Sequence, residues 1–257
     1  MENRYPLFAG GRILKKESLW DLRDYAYGSL QLEFMDYTDG ILKGCRVRVE
    51  GEELVIGKGM LKCGDFIHLL QEEERLPFVA ENQMVALKAV FEKKQNNPDN
   101  VIYQVSFVLE QDLSLQTNQI ELCRFHLRTG SVLRDTYKNF SDMNTEYDTI
   151  NLLHATMSGR GKGRIHPEIL LRFAEELQGQ ERKSLEDIAY CYQILQNQGE
   201  VERGVLDAYF CDKQLAGNLS EAQRWETDRC FHVLEGIVNC KGNGYLEGQR
   251  QRVIFVE

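Results

Sequence analysis

The sequence predicts an α+β protein: an N-terminal mainly-β domain, a small barrel or sandwich, followed by a C-terminal α-helical domain. Three observations predict it. Apolar residues alternate with polar ones from about residue 31 to 135, the period of strands with one buried face. Glycines 40, 44, 51, 57, 59 and 64 punctuate that stretch at tight intervals, as in small all-β modules. From residue 167 onward the apolar spacing changes to three and four, the period of helices.

The elements follow in order. Ser18 with Asp21 three residues later has the form of a capping box, and Leu19, Leu22, Tyr25 and Ala26 keep helical spacing. This predicts a helix of two to three turns ending near Gly28. In Cys45-Arg46-Val47-Arg48-Val49 the arginines alternate with apolar side chains, Glu50-Gly51-Glu52 turns the chain, and Leu54 and Ile56 alternate on the way back. Gly40 and Gly44 are expected in turns that tolerate a Cβ poorly. Residues 84–93 and 101–109 predict a hairpin. Leu87, Ala89 and Phe91 share one strand face, and Tyr103, Val105, Phe107 and Leu109 line the partner strand. The polar segment Lys93 to Asn100 is its tip. A further strand runs from Ile120 to Leu127 and turns at Thr129-Gly130 toward Val132 and Leu133.

The domain boundaries are placed at 1–136 for the β module, 137–166 for a linker packed on it through Tyr137, Phe140 and Tyr147, and 167–257 for the helical domain. In the last, Pro167 suits a first helical position, and Ile169, Leu170, Phe173 and Leu177 form a stripe ending at Gly179. Ser184 and Asp187 cap a second helix, with Leu185, Ile188, Ala189, Tyr192 and Leu195 expected inside and Gly199 as its stop. A third helix covers about 201–213. Ser220 caps a fourth, with Phe231, Leu234 and Val238 facing the core. The run 251–256 reads as a strand returning to a sheet edge.

Composition narrows the function. The chain has 257 residues and a net charge of −9. There are 18 basic and 24 acidic residues up to residue 150, and 13 and 16 after it. Neither half is a basic module, which argues against a protein whose main task is gripping nucleic acid. No apolar run approaches the roughly 20 residues of a membrane-spanning helix. The opening residues lack the apolar core of a secretory signal. The seven cysteines (Cys45, Cys63, Cys123, Cys191, Cys211, Cys230, Cys240) are odd in number and widely spaced. They read as reduced thiols of a bacterial-type cytosol, where the chain is expected to reside during assembly.

Chemistry-bearing motifs are few. Gly159-Arg160-Gly161-Lys162-Gly163-Arg164 precedes a helix, but a phosphate-cradling loop needs four residues between its glycines and then Lys-Ser/Thr. Arg164 stands where Ser or Thr is required. Two readings of the segment remain: a solvated basic loop, or a loop in which Arg160, Lys162 and Arg164 contact phosphate or an acidic partner. Cys123 and His126 lie three apart in a strand, on opposite faces, and Cys230 and His232 lie two apart on a helix, about 200° round. Neither pair can share a metal ion. His68 sits among Phe66, Ile67, Leu69 and Leu70 as a core or edge histidine, His166 neighbours a helix cap, and His154 reads as structural. No nucleophile elbow is present. The expectation is a non-enzymatic chain with no catalytic residue, cofactor, metal or small-molecule substrate.

The segment Asp39-Gly40-Ile41-Leu42-Lys43-Gly44-Cys45-Arg46-Val47-Arg48-Val49, followed by Leu54-Val55-Ile56-Gly57-Lys58-Gly59-Met60-Leu61, resembles the small β module of tail baseplate and fibre-attachment proteins. These belong to bacteriophages and related contractile particles. Such modules carry a DG-I/V-L-x-G turn, a strand, and a second strand ending in a glycine-flanked step. Lys58 stands where a proline often precedes the second glycine. The run from Glu121 to Gly130 is similar to a strand and turn of the same modules, so the resemblance spans roughly residues 18–135. It implies a structural protein of a phage-derived tail or baseplate, in a homo- or hetero-oligomeric ring or virion-like particle. The β module would be its docking platform, and the helical domain would reach a neighbour. Two other readings stand beside it: a nucleic-acid-associated or regulatory module using the basic loop 160–164, and an enzyme of unfamiliar type with its site between the domains.

Overall fold

The computed structural model describes residues 6–8, 10–11, 13–97, 100–181, 183–213 and 226–239. The expected cap at 220–223 and the expected strand at 251–256 lie outside them. Among the described residues, nine strands form three antiparallel three-stranded sheets. These are β1 (Gly40–Gly44), β4 (Gly59–Cys63) and β5 (Phe66–Leu70), in the order β1-β4-β5; β2 (Val47–Glu50), β3 (Glu53–Ile56) and β6 (Glu74–Pro77), in the order β2-β3-β6; and β7 (Met84–Asn97), β8 (Asn100–Glu110) and β9 (Gln119–His126), in the order β8-β7-β9. The α+β class stands. The sheets do not close into a barrel.

The reason lies in one break. Residues 40–63 form a single long ribbon, turned at Gly51-Glu52 with Glu50 opposite Glu53. Gly51 has a positive φ of 66°, at the first central position of the two-residue loop, where a type II′ hairpin reserves glycine. Midway along the ribbon, Gly44 and Cys45 are both left-handed, with φ of 70° and 56°. That kink separates β1 from β2, while Gly57 and Lys58 separate β3 from β4. Two backbone bonds hold the ribbon across the gap: Cys45 N–H donates to the Lys58 carbonyl at 3.0 Å and Gly57 N–H to the Arg46 carbonyl at 2.9 Å. One end of the ribbon therefore belongs to one sheet and the other end to another. Gly40, as expected, also has positive φ, at 143°; a Cβ there would lie 2.5 Å from the Thr156 carbonyl oxygen. Both glycines end a strand rather than sit in a turn loop.

The β7–β8 hairpin keeps the predicted faces, with Leu87 opposite Leu109, Ala89 opposite Phe107 and Phe91 opposite Val105. On the other face lies a residue the alternation does not reveal. Lys88 is fully buried, and its ammonium donates to Glu110 Oε2 at 2.9 Å and to the Asp112 and Ser114 carbonyls at 2.6 Å each. All three donors are used, which makes a buried lysine tolerable. The β7–β9 register shifts between Leu87 and Lys88, pairing them with Cys123 and Glu121. This bulge puts Glu121 and Arg124 on the Lys88 face together. Arg124 there donates from Nε and Nη2 to the two oxygens of buried Glu121, at 2.6 and 2.8 Å.

Residues 137–166 join the sheets through short backbone bridges, including Arg124 to Asn151, Arg134 to Thr149 and Ile41 to Met157. Phe140, Met143, Ile150, Leu152, Leu153, Met157 and Ile165 are buried in one cluster with Ile41 and Leu122 of the sheets and Phe173 and Phe231 of the helices. Phe140 stacks on Phe231 with centroids 4.5 Å apart and meets Phe173 edge-on.

The helices follow the sequence with instructive departures. α1 (Lys16–Glu33) has Lys15 as N-cap with no side-chain cap bond and runs through Gly28. Ser18 is inside it, because its N–H already turns back to the Lys15 carbonyl. A helical glycine costs about 1 kcal/mol but does not end a helix. α2 (Pro167–Gln178) buries Ile169, Leu170, Phe173 and Leu177 as expected, and His166 is itself the cap, its Nδ1 accepting from the Glu168 N–H at 3.3 Å. α3 (Leu185–Gln196) has the full Ser184/Asp187 capping box, yet turns its other face inward. Tyr190, Cys191 and Ile194 are buried, and Leu185 and Tyr192 are exposed. The buried Asp187 carboxylate sets that rotation, accepting from Tyr209 Oη at 2.6 Å and pairing with Lys213 at 2.7 Å. Gly199 stops the segment with φ of 81°. α4 (Arg203–Asp212) and α5 (Thr227–Asn239) complete the packing; Phe231 and Leu234 are buried, and Val238 packs partly buried against the core.

Two outcomes test these assignments. A Cβ on Gly44 would stand 2.3 Å from the Lys58 carbonyl oxygen, whereas one on Gly51 meets nothing within 4 Å. Gly44→Ala is therefore expected to cost about 2 kcal/mol or more by urea unfolding, and Gly51→Ala about 1 kcal/mol, from backbone strain alone. Equal costs would remove the close approach as the constraint. Burial, with Arg46 nearby, holds the His166 imidazole down at about 4, against an ordinary value of 6.5. Folding thus favours the neutral ring: its contribution is full above about pH 6.5 and is lost as pH falls toward about 4. His166→Asn keeps a capping side chain and should lose less stability over that window than the parent chain. Parallel losses in both proteins would refute the assignment.

Candidate docking surface

The basic loop folds back onto the chain before β1. Thr38 N–H donates to the Gly159 carbonyl at 3.0 Å, and Gly161 N–H to the Asp36 carbonyl at 2.8 Å. Its three basic side chains meet three different surroundings. Arg164 is buried; Nε donates to the Ser158 carbonyl at 2.6 Å and Nη2 to the Leu42 carbonyl at 2.9 Å, and Nη1 lies 3.9 Å from Glu200. It thereby ties the loop to β1. Arg160 is exposed, with its guanidinium 5.7 Å from the centre of the Tyr37 ring, and its backbone N–H donates to Glu202 Oε2 at 3.0 Å. Lys162, also exposed, borders a shallow groove of about 460 Å³ together with Thr38, Thr156, Arg203 and Thr227.

Cys45, Cys123 and Cys191 and the imidazoles of His68 and His126 have structural surroundings. Burial pushes the Cys45 thiol up to about 12 and Cys191 to about 11. Cys123 is raised further, by burial and then by Glu121. Raised thiols are poor nucleophiles and poor ligands. Cys123 pairs with Leu87 and His126 with Met84, so they occupy opposite sheet faces, and His126 lies against the Tyr147 ring at 4.6 Å. His68 is enclosed by Phe66, Phe91 and Tyr103, and burial lowers its basicity. Among the described residues no group of three or more His, Cys, Asp or Glu could hold a metal ion. No described helix is long and apolar enough to cross a membrane.

The surface that stands out is α1. None of its 18 residues is buried. Leu19, Trp20, Leu22, Tyr25, Tyr27 and Leu32 are each about half exposed or more, Leu32 at 71%. Its last turns reach β5, where Gln31 Nε2 donates to the Asp65 carbonyl at 3.2 Å. Below them the Phe66 and Tyr103 rings stack at 3.7 Å, bridging β5 and β8. Two open grooves flank that stack. The smaller, about 360 Å³, is bordered by Gln31, Cys63, His68 and Lys93. The larger, about 510 Å³, is bordered by Tyr27, Leu69, Val105 and Phe107. The capping-box reading of Ser18 and the helical spacing of Leu19, Leu22 and Tyr25 point to the helix but carry no information on its exposure.

No protein-family model matches the chain, and no curated protein does. Solved structures that resemble it are a crystal structure of TssK, with 12% identity and a TM-score of 0.35 over 92% of this chain and 71% of that one; a chain of the type VI secretion system TssK-TssF-TssG baseplate subcomplex, with 7% identity and a TM-score of 0.40 over 93% of this chain and 100% of that one; and a chain of the baseplate complex from the type VI secretion system, with 8% identity and a TM-score of 0.40 over the same shares.

Proposed function

We propose that this chain is an assembly component of a baseplate-like particle of the contractile-tail kind, acting through protein–protein contacts. The observation that carries the reading is α1. An isolated helix of this length is marginal in water, and most helices in proteins are held by packing of an apolar face. α1 instead presents Leu19, Trp20, Leu22 and Tyr25 to solvent. Exposed apolar side chains gathered on one helix in this number mark an interaction site, and Trp and Tyr are the residues that dominate binding energy when such side chains are covered. The resemblance of residues 39–61 to tail and baseplate modules supplies the type of particle. The partners proposed are other subunits of that particle.

The test begins with native lysate. Large particles are sedimented, and the fraction is probed for this chain by mass spectrometry and inspected for ring- or tube-like assemblies by electron microscopy. The chain is expected in the particle fraction. A chain that stays at its own mass of 29.8 kDa would defeat the reading. Trp20→Ala combined with Leu22→Ala alters no buried residue, so the fold should survive, and the amount in the particle fraction should fall about tenfold or more.

A further inference from the structure

α3 carries apolar side chains on both of its faces. The inner face, with Tyr190, Cys191 and Ile194, is buried. On the outer face Leu185, Ile188, Ala189, Tyr192 and Leu195 follow one another at intervals of three and four, a stripe about 15 Å long. Leu185 is 81% exposed, Tyr192 64% and Leu195 38%. A helix that is apolar all round is normally covered all round, and the described residues leave this stripe open. The end of α5 lies at the same corner of the molecule. Gln180 Nε2, in the turn that leads into α3, donates to the Val238 carbonyl at 2.5 Å, and Asn239 Nδ2 donates to Ser141 Oγ at 3.3 Å. The turn is held in its own right by Lys183, whose ammonium donates to the Gln178 and Gln180 carbonyls at 2.5 and 2.7 Å. Leu185, the most exposed side chain of the stripe, stands five positions beyond Gln180, at most about 18 Å away.

We infer that residues 240–257 of the same chain cover the outer stripe of α3. These residues lie outside the described ones, and their sequence fits the task. Lys241-Gly242-Asn243-Gly244 follows α5 almost directly, and Gly and Asn are the residues that let a chain reverse. Two apolar runs come next, Tyr245-Leu246 and Val253-Ile254-Phe255-Val256. Extended chain from Asn239 carries the first run up to about 20 Å and the second up to about 48 Å. The stripe starts five positions past the residue that pins the exit, so it is in reach of both. Left in water, the second run is an uncharged, β-prone segment of the kind that aggregates, so the run and the helix face both gain by meeting. An extended segment laid on a helix buries its side chains while water still serves its backbone. The helix face thereby takes the place of the sheet edge that a strand at 251–256 would need. This inference goes beyond the assembly reading, because it uses neither α1 nor another subunit.

The experiment is limited trypsin digestion of the purified full chain, with cleavage after Arg250 followed by intact mass. Cleavage of a segment that opens and recloses tracks the fraction open. Leu185→Asp combined with Tyr192→Asp alters only exposed side chains of α3, so circular dichroism should not change, and cleavage should be about tenfold faster or more than in the parent chain. Phe255→Asp, on the other side of the proposed contact, should accelerate cleavage to a similar extent without touching α3. Combining it with the α3 pair should give no more than either alone, as expected of changes that break one contact. Equal rates in the parent and the α3 variant overturn the proposal, because the segment is then either open already or covered elsewhere. Additive acceleration by Phe255→Asp overturns it too. So does protection that grows with protein concentration, since the cover would then come from a second copy.

Discussion

The left-handed pair Gly44–Cys45, seated against Lys58 and Gly59, is the constraint on which the β half depends. Without it residues 40–63 would be one straight hairpin with one sheet to join. With it, the ribbon bends and its two ends serve two sheets, so β4 can carry β5 toward the β7–β8 hairpin while β3 carries β6 elsewhere. Gly59 completes the crossing: a Cβ there would lie 2.5 Å from the Cys45 N and Sγ atoms and from the Lys43 carbonyl oxygen. Cys45 is a non-glycine residue at positive φ, an arrangement that costs energy unless its surroundings fix it. Its N–H bond to Lys58 and its buried side chain do so. The exposed surfaces are consequences, because the Phe66–Tyr103 stack and the seat of α1 both depend on where the kink delivers β5.

A second principle holds the irregular chain to the sheets: buried charges whose partners are mostly backbone carbonyls or a single carboxylate. Lys88 fastens residues 110–114 to the back of β7, and Arg164 fastens the basic loop to Leu42 and Ser158. Half-buried Arg134 works in the same way on half-buried Asp142, which accepts from Nη1 and Nη2 at 2.6 and 2.7 Å, and that grip holds the Asp142 carboxyl well below the usual carboxylate range. Such groups add little net stability against an apolar core of equal volume, but removing one partner is costly. Their effect is to specify which loop lies where. That suits residues 137–166, whose backbone meets the sheets at isolated bridges: the charges add to the segment's buried apolar side chains in fixing its path.

How much of this was legible in the sequence follows from how local each signal is. The β7–β8 hairpin, the Pro167 start, the Ser184 capping box and the glycines at 40, 44 and 199 were legible, because alternation, a fixed φ or a cap acts within a few residues. The inner face of α3 was not, since its apolar residues surround the helix and the choice is made by Asp187 bonding to Tyr209 and Lys213 more than twenty positions away. Lys88 alternates with Leu87 and Ala89 as any outward strand residue does; what buries it is the bulge and the carbonyls of a later loop. Arg164 read as a member of a basic cluster, whereas its guanidinium serves carbonyls six and 122 residues distant. The exposure of α1 escaped for the complementary reason. Periodicity reports that a helix has apolar residues, but not whether this chain supplies anything to cover them.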